Sequence, residues 1–150
     1  MPQSFSVVVL HIVFSTKNRA PIIRRDVESD LHAFLGGITR DCGCVALDIG
    51  GTEDHVHLLC SLSRTITIAS LVEDVKTRSS KWLKTKGKSY GQFHWQNGYG
   101  AFSIGKSQEG ALKRYIARQK EHHKRVSFQD EFRTILRKYV VQWDERYVWD

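Results

Sequence analysis

Two histidines one residue apart, and far downstream a tyrosine and a glutamine four residues apart, are the side chains here whose types and spacing could do chemistry. Asp54-His55-Val56-His57-Leu58-Leu59 reads as a β-strand. Side chains alternate across a strand, so His55 and His57 share one face while Val56 and Leu58 take the other. Two convergent imidazoles are half of a metal site. Tyr115 and Gln119 lie on a predicted helix one above the other, with Leu112 and Ile116 forming a separate packing stripe. A phenol, an amide oxygen and two imidazoles can build a metal-assisted nucleophilic site. Each part also has a plainer reading: a structural histidine pair, a surface tyrosine, a solvated glutamine.

The elements that must position these residues can be read from periodicity. Ser6 to Phe14 is β-branched and apolar, a buried first strand. Asp26 is placed to cap a helix that carries Val27, Leu31, Phe34, Leu35 and Ile38, with Gly43 suited to its end. Cys44 to Ile49 is a second strand, joined through Gly50-Gly51-Thr52-Glu53 to a third at His55 to Leu62. Ile68, Leu71, Val72, Val75, Trp82 and Leu83 mark a second helix, and Ala101 to Ile104 a fourth strand. The order β-α-β-β-α-β predicts an α+β, ferredoxin-like (RRM-like) antiparallel sheet with two helices on one face. Its third strand is a central one, which puts the histidines mid-platform on the solvent side. Ser107 and Ser127 can cap further helices, through about Lys124 and Lys138. The aromatic loop between the second helix and fourth strand offers Trp95 and Tyr99; the former is better suited to closing the core.

The 150 residues fit one domain spanning 1–150 and suffice for a real hydrophobic core. No apolar run approaches the ~20 residues of a membrane span, and the start lacks a secretory pattern, so the expected compartment is the cytoplasm. Three cysteines, two of them separated only by Gly43, are poor material for disulfides or a zinc knuckle. A formal net charge of +7, with four Trp, five Tyr and seven Phe, points to a polyanionic partner with bases available to stack. Lys76, Arg78, Lys81 and Lys84 on the second helix, continued by Lys86 and Lys88, form a basic run suited to backbone phosphates. The same run could equally be a solvated helix face.

DHVHLL on the third strand, WQNGYGAFSI, YIARQKEHH and the terminal DERYVW together resemble the single-tyrosine transposases of the HUH endonuclease superfamily, the insertion-sequence and repeat-associated enzymes. The resemblance runs from His11 to Trp149. It implies His55 and His57 as metal ligands, Tyr115 as the nucleophile on a helix added after the ferredoxin-like unit, and Gln119 as the polar residue completing the metal site. It also implies Mg²⁺ or Mn²⁺, cleavage and rejoining of single-stranded DNA through a 5′-phosphotyrosine, and hairpin-bearing DNA as partner. A homodimer joined edge to edge through its sheets, in which the tyrosine helix of one subunit can serve the histidine pair of the other, is expected on the same ground. Thr52-Glu53 departs from the family's small or apolar residue and proline, which bears on the turn only. His122 and His123 follow on the same helix, where a backbone-contacting or structural role is the preferred reading. Two other classes are weighed against this one: a non-catalytic single-stranded nucleic-acid-binding module on the same fold, and a small zinc hydrolase. The first lacks the aromatic pattern of an RNA-recognition sheet, and the second is disfavoured because an amide is a weak zinc ligand.

Overall fold

The nine main elements of the computed structural model, which describes residues 2–150, follow the predicted order and extend it at the C-terminal side. They are β1 (Val9–Ser15), α1 (Arg25–Asp41), β2 (Val45–Gly51), β3 (His55–Ser61), α2 (Ile68–Leu83), β4 (Gly100–Ile104), α3 (Glu109–Ala117), α4 (Gln119–His122) and α5 (Phe128–Lys138). The sheet order is β2-β3-β1-β4 with every pair antiparallel, so β3 and its histidines are central. Among the described residues no helix is long and apolar enough to cross a membrane.

Strand alternation gives the sheet two different buried faces. Leu10, Ile12 and Phe14 of β1 and Val56, Leu58 and Cys60 of β3 pack against Leu31, Leu35 and Ile38 of α1 and Leu71, Val72 and Val75 of α2. Phe93 and Trp95 of the aromatic loop close this core, the Trp95 indole donating to Ser79 Oγ at 2.9 Å. The opposite face carries Val9, His11, Val13, His55, His57 and Leu59. It was expected to meet solvent, but α3, α4 and α5 cover it, and His55 and His57 are both fully buried. The reason lies in α5. Phe128, Phe132 and Leu136 recur at helical spacing and find their apolar partners in Val13 and Phe102, so this helix must lie across the sheet. Trp149 packs on Phe132, and Glu145 holds Arg133 at 2.6 Å, so the C-terminal segment braces α5 from outside.

Local chemistry explains the departures from the predicted boundaries. Asp26 is inside the first turn of α1 rather than capping it; Arg24 occupies the cap, its guanidinium donating to Asp26 at 3.1 Å. Thr67 and Ser127 do cap their helices, each accepting a backbone N–H three residues on. The single helix expected from Ser107 to Lys124 is broken at Arg118 (φ −99°, ψ 15°), which separates α3 from α4. Gly50 and Gly51 belong to β2. A Cβ on Gly51 would sit 2.2 Å from the His55 carbonyl oxygen, and one on Gly50 would sit 2.5 Å from Ile116 Cγ2 and 2.9 Å from its carbonyl oxygen. Gly50 is thus what lets α3 approach the sheet.

Candidate active site

β3 supplies the imidazoles, and its neighbours fix their orientation. His55 Nδ1 is 2.7 Å from Asp54 Oδ1 and 3.0 Å from Thr52 Oγ1, which itself donates to Asp54 at 2.9 Å. Thr52, in the turn where the sequence departs from the family pattern, therefore helps hold the ring. In the tautomer that donates Nδ1–H to Asp54, His55 Nε2 directs a lone pair at Gln119 Oε1, 2.8 Å away. His57 Nδ1 lies 2.7 Å from His11 Nε2 on β1, with the two rings stacked at 5.0 Å. The Nε2 atoms of both rings are left facing one region.

Glu131, on α5, occupies that region. Its Oε1 is 3.0 Å from His57 Nε2, 3.5 Å from His55 Nε2 and 3.2 Å from His123 Nε2. Its Oε2 accepts from Gln119 Nε2 at 3.0 Å and from the Tyr115 hydroxyl. Tyr115 and Gln119, expected on one helix face, flank the break at Arg118 and still converge on this one carboxylate. His57 and Tyr115 ring centroids are 5.9 Å apart, so phenol and histidine pair meet within one chain.

Burial sets the protonation preferences. It lowers the His11 pKa from the usual 6.5 to about 3, and the neighbouring His57 adds to the effect. His57 is also lowered by burial, against the pull of Glu131. Burial alone would raise Glu131; His123 and His57 outweigh it and hold the carboxyl well below its usual range. Tyr115 is pushed up, first by burial and then by the Glu131 charge beside it, so the free phenol keeps its proton directed at Glu131.

The donor set fits a divalent cation. His55, His57, His123 and Glu131 each offer a ligand atom, all within 4.8 Å of one another. His122 Nε2 and His123 Nε2 are buried without a hydrogen-bond partner, although each lies 3.2–3.3 Å from a Glu131 oxygen. Three imidazoles and a carboxylate suit Mn²⁺ or zinc readily, and Mg²⁺ with added oxygen ligands. Glu131 and His11 are the residues sequence reasoning missed. A usable signal existed: Glu131 falls in the stripe of Phe128, Phe132, Ile135 and Leu136, and His11 interrupts an otherwise apolar strand.

The proposed DNA-contacting lysines divide. Lys76 Nζ donates to the carbonyls of Gln96, Asn97 and Gly98, at 2.8, 3.3 and 2.5 Å, and burial lowers its pKa to about 8. Arg78 pairs with Asp41 at 2.8 Å. Lys81 and Lys84 line an open groove beside α2 with His94, Asn97 and Tyr99. A second basic surface adjoins Tyr115 itself: Arg114, Arg118 and Arg125 line a hollow of about 520 Å³ at the phenol, and none of the three is ion-paired among the described residues.

A central-strand histidine pair under a tyrosine-bearing helix is the arrangement that the resemblance to single-tyrosine transposases implies. The chain belongs to the IS200-like transposase family, whose sequence profile matches residues 4–119. It is 24% identical over 114 residues to the ISDra2 transposase TnpA of Deinococcus radiodurans, covering 73% of this chain and 81% of that protein. Its fold is shared with a transposase candidate from Deinococcus radiodurans R1, solved at 1.90 Å (TM-score 0.62, 20% identity, 79% of this chain and 98% of that one). It is shared also with a REP-associated tyrosine transposase bound to a REP hairpin (TM-score 0.61, 14% identity, 84% and 74%).

Proposed function

We propose that this transposase-family chain cuts and rejoins single-stranded DNA through a covalent bond between Tyr115 and a 5′-phosphate. The observation that carries this reading is the shared carboxylate: Tyr115 and His57 bind the same Glu131 side chain, so the half-buried phenol of α3 belongs to the buried histidine cluster. Tyr115 Oη attacks the scissile phosphorus; the new O–P bond replaces the bond to the 3′ oxygen, which leaves and takes up a proton. The phenol proton is already aimed at Glu131 Oε2, its nearest acceptor. Attack by another 3′-hydroxyl reverses the step and joins a different strand, with no need for a nucleotide cofactor. His55, His57 and Gln119 would hold the divalent ion, Mg²⁺ or Mn²⁺, which supplies charge stabilisation at a non-bridging phosphate oxygen when bound.

Arg114, Arg118 and Arg125 are suited to the phosphates flanking the scissile one, and Lys81 and Lys84 to a more distant part of a hairpin-bearing strand. The protein would work as a homodimer whose two sites hold two DNA ends, each site being complete within one chain. The test is incubation of wild-type and Tyr115→Phe protein with a 5′- or 3′-labelled hairpin-bearing strand and Mn²⁺. Wild type should give cleavage and a denaturation-resistant protein–DNA adduct, while Tyr115→Phe gives neither yet binds the strand within a few-fold. Equal adduct in the Phe variant would remove Tyr115 from its role.

A further inference from the structure

The family match ends at residue 119, yet two of the four groups that converge on the histidine pair lie beyond it. Glu131 is 3% exposed, and its ion-pairing neighbours among the described residues are histidines alone, with no lysine or arginine. A buried carboxylate among imidazoles alone has partners that carry a full charge only when protonated, and so is poorly compensated for its lost hydration at neutral pH. The N-terminal end of α5 offsets only part of this, since Glu131 lies in its first turn and the helix end carries about half a charge. His123 Nε2 is a second unresolved group, buried and without a hydrogen bond. His55 Nε2 and Gln119 Oε1 are a third: with a neutral ring donating Nδ1–H to Asp54, two acceptors face each other at 2.8 Å.

One cation resolves all three. We propose that Glu131 and His123, supplied by the C-terminal helical segment, are ligands of the divalent ion, so that the site holds it through His55, His57, His123 and Glu131 with Gln119 alongside. This rests on the reading of the site as metal-dependent and deepens it. The segment beyond the family-matched region then contributes ligands as well as cover. The set is richer in nitrogen and charge than two imidazoles and an amide, and favours Mn²⁺ over Mg²⁺. Gln119 keeps a second task, since its Nε2–H holds Glu131 Oε2 in place.

The test is calorimetric titration of the full chain with Mn²⁺ alone, in the absence of DNA, for wild type, His57→Ala, Glu131→Gln and His123→Asn. Even partners that only orient a ligand are worth about 10–100-fold in affinity, so both the Gln and the Asn variants should bind at least about 10-fold more weakly than wild type. Wild-type affinity in a Glu131→Gln protein that melts cooperatively overturns the proposal while leaving the metal reading intact if His57→Ala has lost binding. No Mn²⁺ binding by wild type overturns both. Should Glu131→Gln fail to fold, diffraction from wild-type crystals soaked in Mn²⁺ decides: anomalous density within bonding distance of the Glu131 carboxylate and His123 supports the assignment, and an ion away from them rejects it.

Discussion

At the scale of the residue, the site is a set of rings whose protons are directed by neighbours. Asp54 and Thr52 fix His55, and His11 fixes His57. Burial lowers the His11 pKa to about 3 and keeps the ring neutral beside His57, whose Nδ1 lies 2.7 Å from His11 Nε2. The stability consequence follows by linkage. Below pH 6.5 the unfolded chain protonates His11 and the folded chain does not, so in metal-free protein this residue makes stability fall as pH drops from about 6.5 toward 3. His57, also lowered, acts in the same direction. His11→Gln should flatten, without abolishing, the fall in melting temperature between pH 7.5 and 4.5; an unchanged slope would show that His11 is not the buried neutral partner described. His55, His57, Tyr115 and Gln119 were legible in the sequence because each pair obeys a local period. Glu131 was not, because nothing local says that a carboxylate sixteen residues past Tyr115 will meet it across two helix breaks. Its only trace was a charge in an apolar stripe.

The elements show the same division between what is local and what is tertiary. The β-α-β-β-α-β order and the central place of β3 followed from period and turn chemistry, and so did the Ser127 cap of α5. The covering of the histidine face did not follow, because the alternation of β3 reads identically whether that face meets water or a helix. The break at Arg118 was hidden by an uninterrupted run of good helix formers. Contact between α3 and the sheet depends on Gly50, where a side chain would meet both the Ile116 side chain and its backbone oxygen. Gly50→Val should lower stability by about 1–3 kcal/mol, the usual range for overpacking, and displace Tyr115 with its helix. Denaturant midpoints with and without Mn²⁺, read beside cleavage rates, check this. A variant as stable and active as wild type would mean that α3 rides higher on the sheet.

For the whole molecule, the question is whether one chain suffices. Tyr115, the histidine pair and Glu131 all come together within a single copy. Mixing Tyr115→Phe with His57→Ala protein should therefore leave cleavage unrecovered, even if sedimentation shows the expected homodimer. Recovered cleavage would require the tyrosine helix to reach a second chain. The sheet has two edge strands, β2 and β4, and on β2 Val45 is more than half exposed, which leaves that edge open to such pairing.

The brace on α5, through Arg133–Glu145 and Trp149 on Phe132, has a consequence for a chain still emerging from the ribosome. Its sheet, its histidine pair and even its tyrosine are made before α5 and the segment that clamps it. Until those last residues dock, the carboxylate that gathers the phenol and the imidazoles is missing, and so is the apolar cover over the sheet. A nascent or frayed copy can thus hold basic surface against nucleic acid without an assembled cutting site. On the proposed mechanism, strand cleavage would wait until α5 and the Glu145–Trp149 segment have docked.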